Sequence, residues 1–70
     1  NEGGTMQAYI CCQCETVTGE TGSFLSSGKG ECGRWVVVSP VFGSLADLYP
    51  WMRANGWESC DLWHASRVAG

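Results

Sequence analysis

Basic residues are scarce in this chain of 70 residues: four Lys and Arg stand against seven Asp and Glu, a net charge of −3. Lys29, Arg34, Arg53 and Arg67 are spread along the sequence. No basic face able to neutralise phosphates is expected from them, which excludes direct nucleic-acid binding as a reading. Long apolar runs are missing as well. None approaches the roughly 18 to 20 residues that a helix needs to cross a bilayer. The N-terminal stretch also lacks the basic, apolar and small-residue order of a secretory signal, so the expected location is the cytoplasm. In a reducing compartment the odd set Cys11, Cys12, Cys14, Cys32 and Cys60 should remain thiols. Histidine occurs once, at His64, and proline twice, at Pro40 and Pro50.

The most legible stretch runs from Trp35 to Trp57. Trp35-Val36-Val37-Val38 is a β-branched run suited to a buried strand. Ser39-Pro40 should end it, because Pro has no N–H for a ladder and biases its predecessor toward extended geometry. Ser44 can cap a helix, with Asp47 placed favourably for the helix dipole. Leu45, Leu48, Tyr49 and Met52 form one stripe of a 3.6-residue period. Asn55-Gly56 supplies a left-handed stop. Pro50 lies inside the pattern and predicts a kink, or two short turns in place of one helix.

Residues 1–5 read as a non-native tail, and 6–70 as one domain with no second domain and no internal repeat. Met6 to Val17 alternates as a half-buried strand, with Met6, Ala8, Ile10, Cys12 and Cys14 on the apolar face. The Gly- and Ser-rich segment that follows suggests a hairpin, with a short strand near residues 22–27 and a turn at Gly28-Lys29-Gly30. Arg34 to Ser39 should be a central strand, and Cys60 to Val68 a closing one. The expected fold is α+β: a small antiparallel sheet of three or four strands with short helices packed on one face. Trp35, Val37, Leu45, Leu48, Met52, Ile10 and Cys12 are the expected core, in a chain near the lower size limit for one.

Four constellations could carry chemistry. Cys11-x-x-Cys14 and Cys60-x-x-x-His64 use spacings found in zinc sites. On regular strands, however, Cys11 and Cys14 point to opposite faces, and Cys60 and His64 stand roughly 13 Å apart at about 3.3 Å per residue. No metal or other cofactor is therefore expected, although a zinc-binding adaptor on those four residues is the alternative. A Cys–His nucleophilic pair is conceivable, but so short a chain offers little room for a cleft and an oxyanion hole, so no enzyme is expected. The segment from Gly22 to Gly30 resembles a phosphate-binding loop but has five residues between its glycines where four are required, and Gly30 where Ser or Thr belongs.

The acids are the fourth group. Glu15, Glu20, Glu31, Asp47, Glu58 and Asp61 could serve ordinary solvated faces, or could present carboxylates to Lys and Arg that normally hold phosphates. In its size, mild acidity, free thiols and lack of an enzyme motif, the chain resembles small anti-CRISPR proteins of phages and mobile elements, particularly inhibitors of type I systems. That resemblance implies a monomeric inhibitor, acting in the host bacterial cell. Its partner would be a protein with a basic nucleic-acid-binding surface, such as a type I CRISPR effector complex, blocked by the six acids as a DNA mimic. A rival contact would use exposed rings such as Tyr9, Trp57 or Trp63.

Overall fold

A computed structural model describes residues 4–68. Among them the chain forms β1 (Thr5–Glu15), β2 (Thr21–Lys29), β3 (Trp35–Val37), α1 (Leu45–Ala54), β4 (Trp57–Ser59) and β5 (His64–Val68). The strands make one sheet in the order β3-β2-β1-β5-β4, each neighbouring pair antiparallel. The expected three- or four-stranded sheet with several short helices is thus corrected. Five described strands dominate, and a single ten-residue helix lies against them.

Helix α1 begins and ends where the sequence indicated. Ser44 has the extended backbone of an N-cap, although its hydroxyl donates to Asp47 Oδ2 at 3.4 Å and caps no backbone group. Pro50 neither splits nor ends the helix, which runs on to Ala54. Asn55 stops it, donating from its side chain to Trp51 O at 2.8 Å, and Gly56 takes a φ of 80°. Leu48 and Met52 pack into a cluster with Ala8, Ile10, Leu25, Trp57 and Ala65. Leu45, Tyr49, Trp51 and Phe42 lean on it half-buried.

Three strand expectations are corrected. β3 is an edge strand, not a central one, and Trp35 and Val37 are only half-buried. β2 continues through Gly28 and Lys29, so the turn falls at Gly30–Gly33 instead. Cys60–Val68 is not one strand: β4 and β5 form a hairpin whose loop is Cys60–Trp63, with the Cys60 N–H donating to His64 O at 2.8 Å.

β1 also departs from simple alternation. Its register against β2 runs Tyr9↔Ser26, Ile10↔Leu25, Cys11↔Phe24 and then Cys14↔Gly22, so Cys12 and Gln13 together oppose one residue. Gln13 adopts a φ of 54° there, as happens where a bulge re-aims a strand. The inserted residue reverses the faces beyond it. Cys12, expected in the core, is exposed; Cys11, which precedes the bulge and points to the face opposite Ile10, is buried.

After β1 the chain turns back on itself. Thr16 Oγ1 accepts from the N–H groups of Thr18 and Glu20 at 3.2 and 3.0 Å, which sets a tight turn. Thr16 forms a parallel bridge to Trp35, and Val17 N–H donates to Trp35 O at 2.9 Å. At Trp35 alone β3 therefore also meets the extension of β1, while its ladder partner in the sheet is β2. This curls the β1–β2–β3 part toward a barrel and buries Cys11, Thr16, Phe24 and Ser26 outside the helix-side cluster.

Candidate functional site

The register defines which side chains share the face turned away from α1. Ser26, Phe24 and Gly22 alternate along β2, so their partners Tyr9, Cys11 and Cys14 lie on one side of β1. His64 pairs with Tyr9 from β5 and joins that face. Trp35 arrives from the curled β3, with its ring centroid 5.7 Å from that of Tyr9. Trp63 comes from the β4–β5 loop, anchored where its carbonyl accepts the Ile10 N–H at 2.8 Å. Together Tyr9, Cys11, Cys12, Cys14, Trp35 and Trp63 line a cleft of about 170 Å³. Trp63 is 61% exposed and Tyr9 43% exposed, large areas for rings on so small a protein.

This cleft was only partly visible in the sequence. Tyr9 and Trp63 were candidates, but Trp57 is corrected. It is buried against α1, with the Arg67 guanidinium 5.8 Å from its ring centre. Trp35, expected in the core, is instead part of this cleft. It is half-buried on the face away from α1, with Lys29 Nζ 5.2 Å from its ring.

The loop holding Trp63 is organised by Asp61. One carboxylate oxygen accepts from the Trp63 and His64 N–H groups at 2.8 and 2.9 Å, and the carboxylate contacts His64 Nδ1 at 3.0 Å. The Trp63 N–H, followed by the His64 side chain, holds the Asp61 carboxyl below its ordinary range. An Asp between two short strands is a turn signal that could have revealed this loop.

The four residues of the zinc alternative are arranged differently from the expectation. The bulge brings Cys11 and Cys14 to the same face, and the hairpin sets Cys60 and His64 opposite each other. No group of three or more His, Cys, Asp or Glu able to hold a metal occurs among the described residues. Burial, then the neighbouring Cys14, pushes the Cys11 thiol up to about 12.

All six acids are exposed. Glu15 ends β1, Glu20 lies in the turn before β2, and Glu31 lies in the β2–β3 turn. The closing of β3 onto Val17 brings these three toward one end, where Val17 approaches Gly30. Arg34 is among them, with its Nε 3.6 Å from Glu15. Asp47 stands in the first turn of α1, while Glu58 and Asp61 belong to the hairpin at the other edge of the sheet. The acids therefore fall into separate groups. Among the described residues, the carboxylates of Glu20 and Glu31 are not engaged as those of Glu15 and Asp61 are.

No helix among the described residues is long and apolar enough to cross a membrane. No family model matches the chain, and neither a curated protein nor a solved structure matches it.

Proposed function

We propose that this is a small non-enzymatic inhibitory binding protein that docks on another protein through the Tyr9–Trp35–Trp63 cleft. The observation behind this reading is the concentration of three large rings around one apolar depression, with Trp63 standing out from it. Rings of this kind carry binding energy because they bury much area at little entropic cost. The thiol buried beside them, Cys11, is held neutral near pH 7 and is a poor nucleophile, which favours binding over catalysis.

The partner that fits is a protein with a basic nucleic-acid-binding surface. The net charge of −3 favours such an encounter, and Glu20 and Glu31 supply carboxylates at one end of the molecule. A type I CRISPR effector complex is the specific partner suggested by the resemblance. In this reading the acids steer association and the rings anchor it, so DNA mimicry is a contribution to the encounter and not the whole contact.

Surface plasmon resonance against a purified type I effector complex tests the proposal. Trp63→Ala should weaken binding at least about tenfold, mainly through faster dissociation. Glu20→Lys with Glu31→Lys should slow association and reduce its dependence on salt. Binding untouched by Trp63→Ala rejects the cleft as the anchor, and no binding by the parent protein rejects the partner.

A further inference from the structure

Cys11 and Cys14 are the feature that neither the core nor the docking surface explains. Three residues apart on a regular strand, they would point to opposite faces. The bulge changes this: their β2 partners are Phe24 and Gly22, two positions apart and hence on one face. Those partners are two strand residues apart, about 6.7 Å between Cα atoms at about 3.3–3.4 Å each, and that span approximates the separation of the two cysteines across the bulge. That lies within the range of about 4.4–6.8 Å that disulfides bridge. Both side chains line the same cleft. Their environments are unequal, Cys11 being buried and Cys14 half-exposed with its thiol 3.6 Å from Cys12 O.

We infer that Cys11 and Cys14 form a reversible dithiol–disulfide couple that takes a low-molecular-weight disulfide, such as oxidised glutathione, as its oxidant. Cys14, the accessible partner, attacks first: its thiolate bonds to one sulfur of the oxidant and expels one glutathione thiolate. The Cys11 thiol then loses its proton and attacks the Cys14 sulfur of the mixed disulfide. The Cys11–Cys14 bond forms, and the second glutathione thiolate leaves. Two electrons pass from the protein to the oxidant, and the two thiol protons end on two molecules of glutathione. Burial is the main influence that holds Cys11 protonated and it persists, which makes this second attack the slow step; the smaller influence of Cys14 disappears once Cys14 is bonded to glutathione.

The couple sits where it can alter recognition. The bulge that joins the two cysteines is also tied to the segment leading into α1, because Gln13 Nε2 donates to Gly43 O at 2.7 Å. The Gln13 N–H reaches Ser23 Oγ at 3.4 Å. A bond between Cys11 and Cys14 pins the bulge and redraws the cleft floor between Trp35 and Trp63. This consequence rests on the docking function proposed above, whereas formation of the bond does not.

The experiment keeps the two apart. The full chain carrying Cys12→Ser, Cys32→Ser and Cys60→Ser is equilibrated in glutathione buffers of graded ratio, acid-quenched, alkylated and weighed without any partner. The expected result is a monomeric species about 2 Da lighter that resists alkylation, appears with a single midpoint and reverts in excess reduced glutathione. The same midpoint should appear in tryptophan fluorescence. Adding Cys14→Ser should abolish the mass loss, while Cys14→Ser in the otherwise native chain still melts cooperatively. Persistent alkylation of both thiols at every ratio overturns the couple, as does a mixed disulfide with glutathione that never resolves. If the bond forms but oxidised and reduced protein bind the effector complex alike, the regulatory consequence fails and the couple stands.

Discussion

Leu48→Ala tests the helix-side core most directly. Leu48 is 0% exposed and lies among Ala8, Ile10, Leu25, Met52, Trp57 and Ala65, where α1 meets the sheet. The substitution removes three carbons, worth about 2.4 kcal/mol of transfer free energy at about 0.8 kcal/mol per buried CH2. The ring of neighbours comes from β1, β2, β4, β5 and α1, so it cannot collapse freely into the space. The residual cavity should raise the total cost to about 3–4 kcal/mol. For a chain this short, total stability is on the order of 4–10 kcal/mol, so the loss is a large fraction. Urea unfolding followed by tryptophan fluorescence measures it. With a slope of about 1 kcal/mol per molar urea, the midpoint should fall by about 3–4 M. Leu62→Ala, at a residue 72% exposed in the β4–β5 loop, is the control and should stay within about 0.5 kcal/mol of the parent. A Leu48→Ala loss below about 1 kcal/mol would mean that α1 does not pack on the sheet through this residue.

Three further outcomes follow from individual contacts. Gly22→Ala places a methyl 2.5 Å from Phe42 O and from Val41 Cγ1, so the bridge between Ser23 and Phe42 must shift. Urea unfolding should show a loss of about 1–3 kcal/mol, and an unchanged midpoint would refute this close approach. Asp61 has a lowered pKa in the folded state, so its contribution is fully present above the ordinary carboxylate pKa and is lost as pH falls through the folded value. Asp61→Asn should therefore flatten the acid limb of the stability curve below about pH 4; an acid limb identical to the parent's would reject the Asp61 cap. Cys11, pushed up to about 12 and buried, should be the last thiol alkylated by iodoacetamide at pH 8, well after Cys32 and Cys60. Peptide mass mapping over time checks the order, and early labelling of Cys11 would place it at the surface.

The candidate site was legible only in fragments. Tyr9 and Trp63 could be singled out as rings without an obvious core period, but nothing local joins residues 54 positions apart. Their meeting requires β5 to pair with β1, a non-local choice made by burial of Ala8 and Ala65 against one another. The acids were legible as a composition and illegible as a surface. Whether Arg34 neutralises Glu15 depends on the curl that brings β3 back to the end of β1.

Period and punctuation were sufficient for α1: the stripe of Leu45, Leu48, Tyr49 and Met52 and the Asn55-Gly56 stop are local properties, and they hold in the fold. The alternation of Ala8 and Ile10 likewise determined a buried face of β1, whereas Met6, expected on the same face, is exposed near the strand's start. Tertiary structure decided the rest. A bulge at Gln13 needs no glycine and leaves no mark in the composition, yet one inserted residue turns Cys14 to the face that carries Cys11. The β-branched run after Trp35 suggested a central strand, but apolar character reports burial and not position in a sheet. Its edge place follows from which ladders close elsewhere, since β1 is already paired on both sides by β2 and β5. Side-chain period is a local quantity. Strand order, register and closure are collective ones, and they set the cleft.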